Sequence, residues 1–514
     1  MKLISMIALA LSLSTASAMA EDILRIRLNT DIRSLDPGVN RDANTDIVQS
    51  HLFEGLVAYK EDASIGPLLA KSVDVSPDGK TYTFVLRDGL KFSNGEPMTT
   101  EDVLFSWKRY TDPAVGWRCL PEVDGRGVVK VTDVSAKDDK TVVFTLEKPS
   151  ALFLTTLARP DCGGTGIFHR SSIGADGQWN EPVTTAPFKL GEWKRNQYIE
   201  LVKNENYTAL PGKPDGMTGN KSVEVDKARF VIIPDESTAK AALIAGDLDI
   251  NYDVENSDLP EYNSHKDIIL DTTPIMNIGE FLFQTNDPVL KDVRIRKAFL
   301  LSLDMPELVN AVTDGQATPS NSPIPKASSF YGPVQQEVVQ RDVETAKKLL
   351  AEAGYNGQPI KMLTNKRYPP MFNSAIAAQA MAAEAGFNIE LEVVDWGAQN
   401  DRYLSGDYQI MSHSFSARLD PSLSFDMFSG VKADEPRKVW ENRQALELLD
   451  KSMVVSDPRE RQALLDQIEK LFREDVPMVV TYSGVRTSGV RPNVAGYKGW
   501  ALGQPRAWGV QLKK

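Results

Sequence analysis

Residues 66–109, GPLLAKSVDVSPDGKTYTFVLRDGLKFSNGEPMTTEDVLFSWKR, carry the densest set of structural signals in the chain. The stretch 81–92 alternates apolar and polar side chains and follows a Pro-Asp-Gly turn at 77–79, a pattern that predicts a β-hairpin. Beyond a second turn, Thr99 is placed to cap a helix with an acidic first turn. Outward from this run, strand patterns alternate with helix patterns, which predicts an α/β fold.

The same run, with LFEGL at 52–56 before it, resembles the signature of the bacterial extracellular solute-binding proteins of family 5. That family comprises the dipeptide, oligopeptide, nickel and opine receptors of ABC importers. Further resemblances follow in the family's order along nearly the whole chain: APFKLGEWKRNQYIELVKNENY at 186–207, AALIAGDLDI at 241–250, FLFQTNDPVLKDVRIRKAFLLSLD at 281–304 and DWGAQNDRYLSGDYQIMSHSFSARLDP at 395–421. On this ordered set the chain is identified as a member of the family.

The resemblance implies a two-lobed periplasmic binding protein of class II, the large peptide-binding type. Its α/β lobes close on a ligand, two hinge crossovers join them, and lobe I carries an extra subdomain. On this plan the crossovers lie near 276–280 and 479–482. The expected divisions are a signal peptide at 1–20, lobe I at 21–275 with the extra subdomain at about 46–183, lobe II at 276–480, and a return to lobe I at 481–514.

The start of the chain indicates export. Lys2 is a positive residue before an apolar run at 3–13, and the small-residue triplet 18–20 precedes Glu21. This is the pattern of a secretory signal peptide that is cleaved after Ala20. The apolar run is about half the length that spans a bilayer, and no cysteine stands at the cleavage point to carry a lipid anchor. We therefore expect a mature protein that is free in the periplasm.

Composition and motifs favour a binding protein over other classes. A formal net charge of −12 argues against a nucleic-acid partner, because phosphate backbones need a basic surface. A single local arginine can still hold an anionic small ligand at close range. The four histidines are scattered, and no metalloprotease, nucleophile-elbow, phosphate-loop or dinucleotide motif occurs in a suitable context. We expect no catalytic residue, metal or cofactor; a periplasmic hydrolase is the alternative.

Cys119 and Cys162 are the two cysteines of the chain. In an oxidising compartment an even count favours a disulfide. Closing a loop of roughly 40 residues contributes ~4 kcal/mol in the chain-entropy account. A metal pair or a catalytic thiol is the alternative, but no second cysteine or histidine lies at ligand spacing from either residue.

The first candidate ligand contact is a loop that carries Phe415, Ser416, Arg418 and Asp420. In peptide-binding members of the family, an aspartate three positions before the acid–proline pair holds the free ammonium of the peptide. Ala417 stands at that position here, and a buried ammonium without a counter-charge is costly. The fork of Arg418 suits a carboxylate or phosphate instead. A solvent-facing or lobe-bridging charge is the alternative for Arg418.

A second candidate lies on the two loops that a disulfide would join, which carry Trp117, Arg118, Arg126 and Arg159. The disulfide would bring the three arginines together beside glycine-rich backbone, an arrangement that can hold an anion. Trp117 could stack on a sugar or amide face. The loops loosely resemble the family branch that includes the agrocinopine-binding receptor, whose ligands are sugar-phosphate opines. The alternative is that these residues only staple a surface subdomain.

Three further candidates follow strands that we expect in lobe II. Asn365 and Tyr368 lie on the loop after one strand, where open α/β sheets place ligand contacts. Trp396 begins a helix after another strand, and either the cleft or the core can hold its ring.

These expectations describe the receptor of an ABC importer. The ligand shifts the population from open to closed by contacting both lobes. The closed form docks on a membrane permease, while other subunits hydrolyse ATP. One candidate ligand is an opine or sugar-phosphate conjugate, which Arg418 and the grouping of Arg118, Arg126 and Arg159 favour. The other is a short peptide, which is frequent in the family but is opposed by Ala417. A metal chelate is disfavoured, because histidines are few. A chemoreceptor or chaperone accessory without transport is a further alternative, and we expect a monomer.

Overall fold

The computed structural model describes residues 21–416 and 418–513. The expected signal peptide at 1–20 and the substitution at Ala417 lie outside these residues. Two lobes share one mixed sheet of 11 strands, in agreement with the architecture that the resemblance implies.

Strands and helices alternate along the chain. The strands before the first crossover are β1 (Ile23–Leu28), β2 (Val57–Tyr59), β3 (Ile65–Pro67), β4 (Ala70–Val75), β5 (Thr81–Leu86), β6 (Val131–Ala136), β7 (Thr141–Leu146), β8 (Phe188–Lys194), β9 (Tyr198–Lys203), β10 (Pro214–Asp215), β11 (Thr218–Gly219), β12 (Lys227–Ile232) and β13 (Ile250–Asn251). The later strands are β14 (Ile269–Phe283), β15 (Thr318–Pro319), β16 (Ile360–Thr364), β17 (Ile389–Val393), β18 (Ile410–Ser416), β19 (Met478–Val490), β20 (Val494–Ala495) and β21 (Gln511–Leu512).

The helices cover both lobes. They are α1 (Ala43–Leu52), α2 (Thr100–Tyr110), α3 (Phe153–Ala158), α4 (Glu236–Ala245), α5 (Leu259–Ser264), α6 (Val293–Ser302), α7 (Met305–Thr313), α8 (Val343–Glu352), α9 (Pro369–Glu384), α10 (Trp396–Ser405), α11 (Pro421–Phe428), α12 (Arg443–Ser452) and α13 (Pro458–Asp475). Short 3₁₀ segments occur at Pro113–Val115, Leu120–Glu122, Pro160–Thr165, Arg170–Ser172 and Asn256–Asp258.

The large sheet runs in the order β17-β16-β18-β14-β19-β13-β1-β12-β9-β8, and β15 pairs with β19. Leu24, Ile26 and Leu28 alternate along β1 and are fully buried, as the alternating pattern of this segment predicts. β1 pairs in parallel with both β12 and β13. The loop after β1 therefore leaves the sheet at an interior position, where open α/β sheets bind ligands.

The strands β14 and β19 pass from one lobe to the other, with lobe I neighbours along one half and lobe II neighbours along the other. The register of their shared ladder shifts between Pro274 and Ile278 and again between Gly279 and Glu280. Such an irregularity bends a strand pair locally. It falls around the segment 276–280 that the resemblance implies for a crossover; the domain boundaries themselves stay a prediction.

The extra subdomain of lobe I contains a separate four-stranded sheet in the order β4-β5-β7-β6. β4 and β5 form the hairpin that the Pro-Asp-Gly turn predicts. The helix that the sequence predicts after Thr99 is α2, and the Thr99 N–H donates to Asp102 at 2.9 Å. Phe144 packs edge-on against both Phe84 and Trp107, so aromatic side chains from the sheet and α2 share one core.

Lobe II buries apolar side chains on both faces of its part of the sheet. Phe281 packs with Phe299 on one face, and Leu282 packs with Phe425 in a second cluster. Neighbouring residues of a strand point to opposite faces, so β14 lies between two layers of helices. Along 21–416 and 418–513, no helix is long and apolar enough to cross a membrane.

Candidate functional site

A cleft between the lobes contains two adjoining cavities. The first has a volume of about 580 Å³, and we call it the polar cavity. Its walls include Asn29, Thr30, Arg33, Asp42, Asp253 and Arg486. The second has a volume of about 450 Å³, and we call it the aromatic cavity. Its walls include Tyr368, Met371, Trp396, Ser414 and Tyr482. Ile275, Asn277 and Ser416 line both cavities. Both volumes are typical of small-molecule sites, and both lobes and the crossover strands supply the walls.

The loop after β1 forms one wall of the polar cavity. Asn29, Thr30 and Arg33 follow the carboxyl end of that strand. Asp42 is the N-cap of α1, and its side chain accepts a hydrogen bond of 2.9 Å from the N–H of Thr45. Nε of Arg33 donates to Asp42 at 3.0 Å. The capping hydrogen bond thus fixes the Asp42 carboxylate at the cavity, and this carboxylate in turn pairs with Arg33.

A second ion pair stands across the polar cavity. Nε of Arg486 lies 3.1 Å from Asp253, and Nη1 of Arg486 donates to the carbonyl of Gly503 at 2.6 Å. Gln504 lines the same cavity, and its buried Oε1 has no hydrogen-bond partner among the described residues. The polar cavity therefore offers both signs of charge.

Trp396 and Tyr368 form the wall of the aromatic cavity, where the sequence predicts ligand contacts. Their rings lie 5.0 Å apart at 87°, and Tyr368 is 38% exposed. Asn365, in contrast, is fully buried. Its side chain donates to Gln399 at 2.8 Å and accepts from the N–H of Tyr368 at 3.0 Å. Asn365 therefore supports the loop of Tyr368, which corrects the prediction that it contacts the ligand.

Arginines gather around Asp161 in lobe I. Two hydrogen bonds of 3.0 and 2.8 Å join Arg159 to Asp161, Arg159 also pairs with Glu122 at 3.3 Å, and Nε of Arg118 donates to Asp161 at 3.2 Å. Burial raises the pKa of Asp161, but the hydrogen bonds and charge of Arg159 oppose this effect. With the added charges of Arg118 and Arg41, the pKa of Asp161 falls to about 2. We call Arg41, Arg118 and Arg159 the arginine cluster.

A disulfide between Cys119 and Cys162 joins the two loops that carry most of this cluster. Each cysteine directly follows a member of the network, Cys119 after Arg118 and Cys162 after Asp161. The covalent link therefore sets the distance between the arginine of one loop and the carboxylate of the other, and the pairing that the sequence favours is the one that the structure contains.

Two predicted contacts of this region have other roles. Trp117 is 2% exposed, and its Nε1 donates to the carbonyl of Cys162 at 2.9 Å. Its ring is enclosed in lobe I, which corrects the prediction that it stacks on a ligand. Arg126 pairs with Asp124, two residues before it, on an exposed turn. Because a local carboxylate holds Arg126, the expected grouping contains Arg118 and Arg159 but not Arg126.

Arg418 of lobe II lies near the arginine cluster. Its guanidinium has no ion-pair or hydrogen-bond partner within the described part of the chain. Arg418 is exposed to solvent, as the solvent-facing alternative expects. Partial burial lowers the pKa of its guanidinium, the charge of Arg159 lowers it further, and the charge of Asp161 raises it. The Arg418 N–H donates to Oγ of Ser424 at 2.9 Å, and this hydroxyl donates to the Arg418 carbonyl at 3.1 Å. The next residue, Leu419, lines the polar cavity.

The other predicted residues of this loop divide between the cavity and the interior. Ser416 lines both cavities. Asp420 is 4% exposed, and Nη2 of Arg461 donates to both of its carboxylate oxygens at 2.7 and 2.8 Å. Phe415 is buried and packs edge-on against Tyr403. Asp420 therefore anchors the loop and Phe415 fills the core of lobe II, which corrects the prediction that they contact the ligand.

Sequence reasoning missed the polar walls that lobe I supplies. One signal was present, because the loop with Asn29, Thr30 and Arg33 follows a clear strand, as the loop of Tyr368 does. Asp253 and Arg486 had no such signal, since they meet only when distant parts of the chain fold together.

Known proteins resemble this chain over most of its length. A family model described as bacterial extracellular solute-binding proteins, family 5 Middle, matches residues 64–435. The oligopeptide-binding protein OppA of Bacillus subtilis (strain 168) is 27% identical over 486 residues, which cover 89% of this chain and 87% of OppA. The structure of DppA from Helicobacter pylori in complex with the peptide STSA matches with a TM-score of 0.72 at 26% identity, over 96% of this chain and 99% of DppA. AgaA from A. tumefaciens R10 in complex with agropinic acid matches with a TM-score of 0.70 at 26% identity, over 96% of this chain and 99% of AgaA.

Proposed function

Since the chain belongs to the bacterial extracellular solute-binding proteins of family 5, we propose that it captures a small anionic solute between its lobes. Proteins of this family bind small ligands and work with the permease and ATPase subunits of ABC importers, and this chain is the solute-binding receptor of such an importer. We place it in the periplasm, as a monomer from which residues 1–20 are removed.

The position of Arg418 is the observation that supports an anionic solute. This cation of lobe II has no counter-charge of its own and lies near Arg159 and Arg118 of lobe I. Asp161 is already shared by those two arginines. Like charges that approach on closure repel one another. A carboxylate or phosphate between the lobes removes that repulsion and adds charge-assisted hydrogen bonds, so the anion favours the closed form.

Closure follows from where the walls of the cleft come from. The two cavities take residues from lobe I, lobe II and the crossover strands β14 and β19. A solute that fills them contacts both lobes at once, and such a solute binds the closed form better than the open one. The register shifts of the crossover ladder provide the place where the backbone bends.

An opine or a sugar-phosphate conjugate matches this arrangement. Its anionic group would lie between Arg418 and the arginine cluster. Hydroxyl groups would form hydrogen bonds with the polar side chains after β1 in the polar cavity. A ring would lie against Trp396 in the aromatic cavity, since aromatic side chains offer extended apolar faces. AgaA, whose structure contains agropinic acid, resembles this chain over nearly its whole length.

A short peptide is the second candidate. Asp253 and Asp42 line the polar cavity, and either carboxylate can accept hydrogen bonds from an ammonium group. DppA, whose structure contains the peptide STSA, supports this alternative, whereas Ala417 in the sequence counts against it. Each carboxylate already pairs with an arginine, Asp42 with Arg33 and Asp253 with Arg486, so an ammonium has to compete for it. We therefore favour the anionic conjugate.

We propose that the solute leaves the receptor unchanged. A periplasmic hydrolase is the rival from the enzyme class, and mass spectrometry separates the two. Solute that co-purifies from the native periplasm and stays intact and stoichiometric on incubation supports the receptor. Turnover of that solute by the purified protein contradicts it.

The test of the anionic solute is the Arg418→Ala variant. We expect its affinity for the co-purified solute, or for agropinic acid, to fall by about 10- to 150-fold, since a charge-assisted pair contributes ~1.5–3 kcal/mol. The measurement is isothermal titration calorimetry with the peptide Ser-Thr-Ser-Ala in parallel. Arg126→Ala is the matched control, because this exposed arginine pairs locally with Asp124. An Arg418→Ala affinity within about threefold of the wild type contradicts the proposal.

A further inference from the structure

Aromatic rings surround the imidazole of His413 behind the wall of the aromatic cavity. The imidazole of His413 lies 5.2 Å from the ring of Tyr403 at an interplanar angle of 20°. The ring of Trp396 lies 6.0 Å from the imidazole at an angle of 30°, and Phe415 packs edge-on against the imidazole at 4.9 Å. His413 is 8% exposed, whereas Trp396 lines the cavity. Trp396, a wall of the cavity, therefore neighbours a buried imidazole on one side and Tyr368 at 5.0 Å on another.

Glu280 holds that ring in place. Oε1 of Glu280 lies 2.9 Å from Nδ1 of His413, and the backbone N–H of Phe415 donates to Oε2 at 3.3 Å. The two side chains stand opposite each other in the ladder of β14 and β18. The Glu280 side chain is fully buried, and a buried carboxylate is costly unless a partner compensates it. His413 is that partner.

The pair also reaches the crossover. Glu280 follows Gly279 at a shift in the register of β14 and β19. A Cβ on Gly279 would collide with the ring of Tyr482, so this glycine lets Tyr482 lie directly on β14. Tyr482 is a wall of the aromatic cavity; burial raises its pKa, and the charge of Glu280 adds to this effect. The buried carboxylate of Glu280 thus acts on two walls of the aromatic cavity. It reaches Trp396 through His413, and it reaches Tyr482 through the crossover.

Along the described parts of the chain, few other charges face this pair. On the side of α10, the Tyr403 hydroxyl accepts from Arg437 at 3.4 Å, and Arg437 pairs with Glu435 at 2.7 Å. On the side of β19 stands the phenol of Tyr482. Burial raises the pKa of Glu280, with His413 opposing the shift. A proton on the pair cancels the buried negative charge, and an imidazolium between two aromatic rings gains cation–π stabilisation.

We infer that Glu280 and His413 are a positioning pair whose protonation sets the orientation of Trp396. With the proton, the stack of Tyr403, His413 and Trp396 is tightened; without it, the ring of Trp396 is held less firmly. Solute binding in the aromatic cavity then depends on pH, a consequence that rests on the proposed function. The orientation of Trp396 itself does not require any solute.

The test is a pH titration by NMR of protein with ¹⁵N-labelled tryptophan and histidine. The indole signal of Trp396 is assigned with Trp396→Phe and the ring signals of His413 with His413→Phe. We expect both signals in the wild type to titrate with one common midpoint. His413→Phe keeps a ring in the stack but should abolish the titration of the Trp396 signal, whereas the control His265→Gln, in lobe I, should leave it unchanged.

Glu280→Gln separates a positioning role from simple packing. The amide keeps the shape of the side chain but removes its charge, so the common midpoint should move to lower pH. A Trp396 signal that does not respond to pH in the wild type overturns the inference, as does a midpoint that is unchanged in Glu280→Gln. Because the titration uses no solute, a failure of anion binding leaves its result intact.

Discussion

Two loops approach each other across the cleft, and each is held by different chemistry. In lobe I, the disulfide of Cys119 and Cys162 joins the loops of the arginine cluster. In lobe II, the loop of Arg418 is anchored by the buried ion pair of Asp420 and Arg461. One side of the proposed anion site is therefore set by a covalent bond. The other side depends on ionised side chains.

Because of this difference, we expect the two lobes to respond differently to the loss of a charge. A disulfide holds its loops regardless of charge, whereas a buried ion pair is stable only while both partners stay charged and in contact. Arg461 belongs to α13, a helix that also contains the buried carboxylate of Glu469. Two buried ionisable anchors of lobe II therefore lie on one helix, and substitutions can separate them from the covalent anchor of lobe I.

The largest expected effect comes from removing the covalent anchor. In Cys119→Ala with Cys162→Ala, we expect the free energy of unfolding to fall by about 4 kcal/mol, because a loop of 43 residues is no longer closed in the unfolded chain. Urea unfolding followed by circular dichroism measures the change. The affinity for agropinic acid should fall as well, since Arg118 and Asp161 lose their fixed spacing.

Thiol titration of denatured, unreduced protein is the control for this prediction. It should detect no free thiol in the wild type, and two free thiols would contradict the disulfide. Loss of stability with an unchanged arrangement of Arg118 would show that the disulfide stabilises the subdomain without positioning the arginine cluster.

The next effect comes from breaking the electrostatic anchor. In Arg461→Met, the Asp420 carboxylate stays buried without its partner, so we expect a loss of about 3 kcal/mol in the free energy of unfolding. The same urea experiment measures it. Exposed Arg459→Met, on the same helix, is the matched control and should change stability by less than about 0.5 kcal/mol.

A double variant tests whether the cost is the unpaired charge. Asp420→Asn with Arg461→Met removes both charges, and we expect it to recover most of the stability that Arg461→Met loses. If the double variant is as unstable as Arg461→Met, the packing of these side chains, and not their charges, stabilises the loop.

Local signals explain how much of the fold the sequence predicts. The hairpin of β4 and β5 and the start of α2 depend on turn and cap residues within the run 66–109, so they can be predicted without knowing the rest of the chain. The two-lobed architecture followed from the ordered resemblance. The shifts in the β14–β19 ladder depend on pairing between distant strands, and no local pattern reveals them.

The candidate site was harder to predict because burial decides which side chains face the cleft. Arg118 and Arg159 were grouped correctly since a disulfide constrains their loops. Asp420 and Trp117 have residue types suited to binding, but each meets a distant buried partner, Arg461 in one case and the Cys162 carbonyl in the other. Such partners are visible only in the folded chain.

The smallest expected effect concerns the pH dependence of lobe II. Glu469 of α13 is fully buried; its carboxylate accepts from Ser322 at 3.0 Å and from Arg473 at 3.2 Å. Burial raises the pKa of Glu469 from 4.5 to about 7, although Arg473 and Ser322 oppose the shift. The folded protein therefore holds this proton more tightly than the unfolded chain does. Its stabilising effect is fully present below pH 4.5 and is lost as the pH rises to about 7.

Glu469→Gln removes this titration while keeping the shape of the side chain. Relative to the variant, the wild type should lose about 2 kcal/mol of unfolding free energy between pH 5 and pH 8. The exposed Glu474→Gln on the same helix is the control, and its difference from the wild type should stay constant over that range. A constant difference for Glu469→Gln as well would mean that the carboxylate is ionised in the folded protein throughout, held by Arg473. In that case α13 would carry two pH-independent ion pairs, and the lobes would differ in the kind of anchor but not in their response to pH.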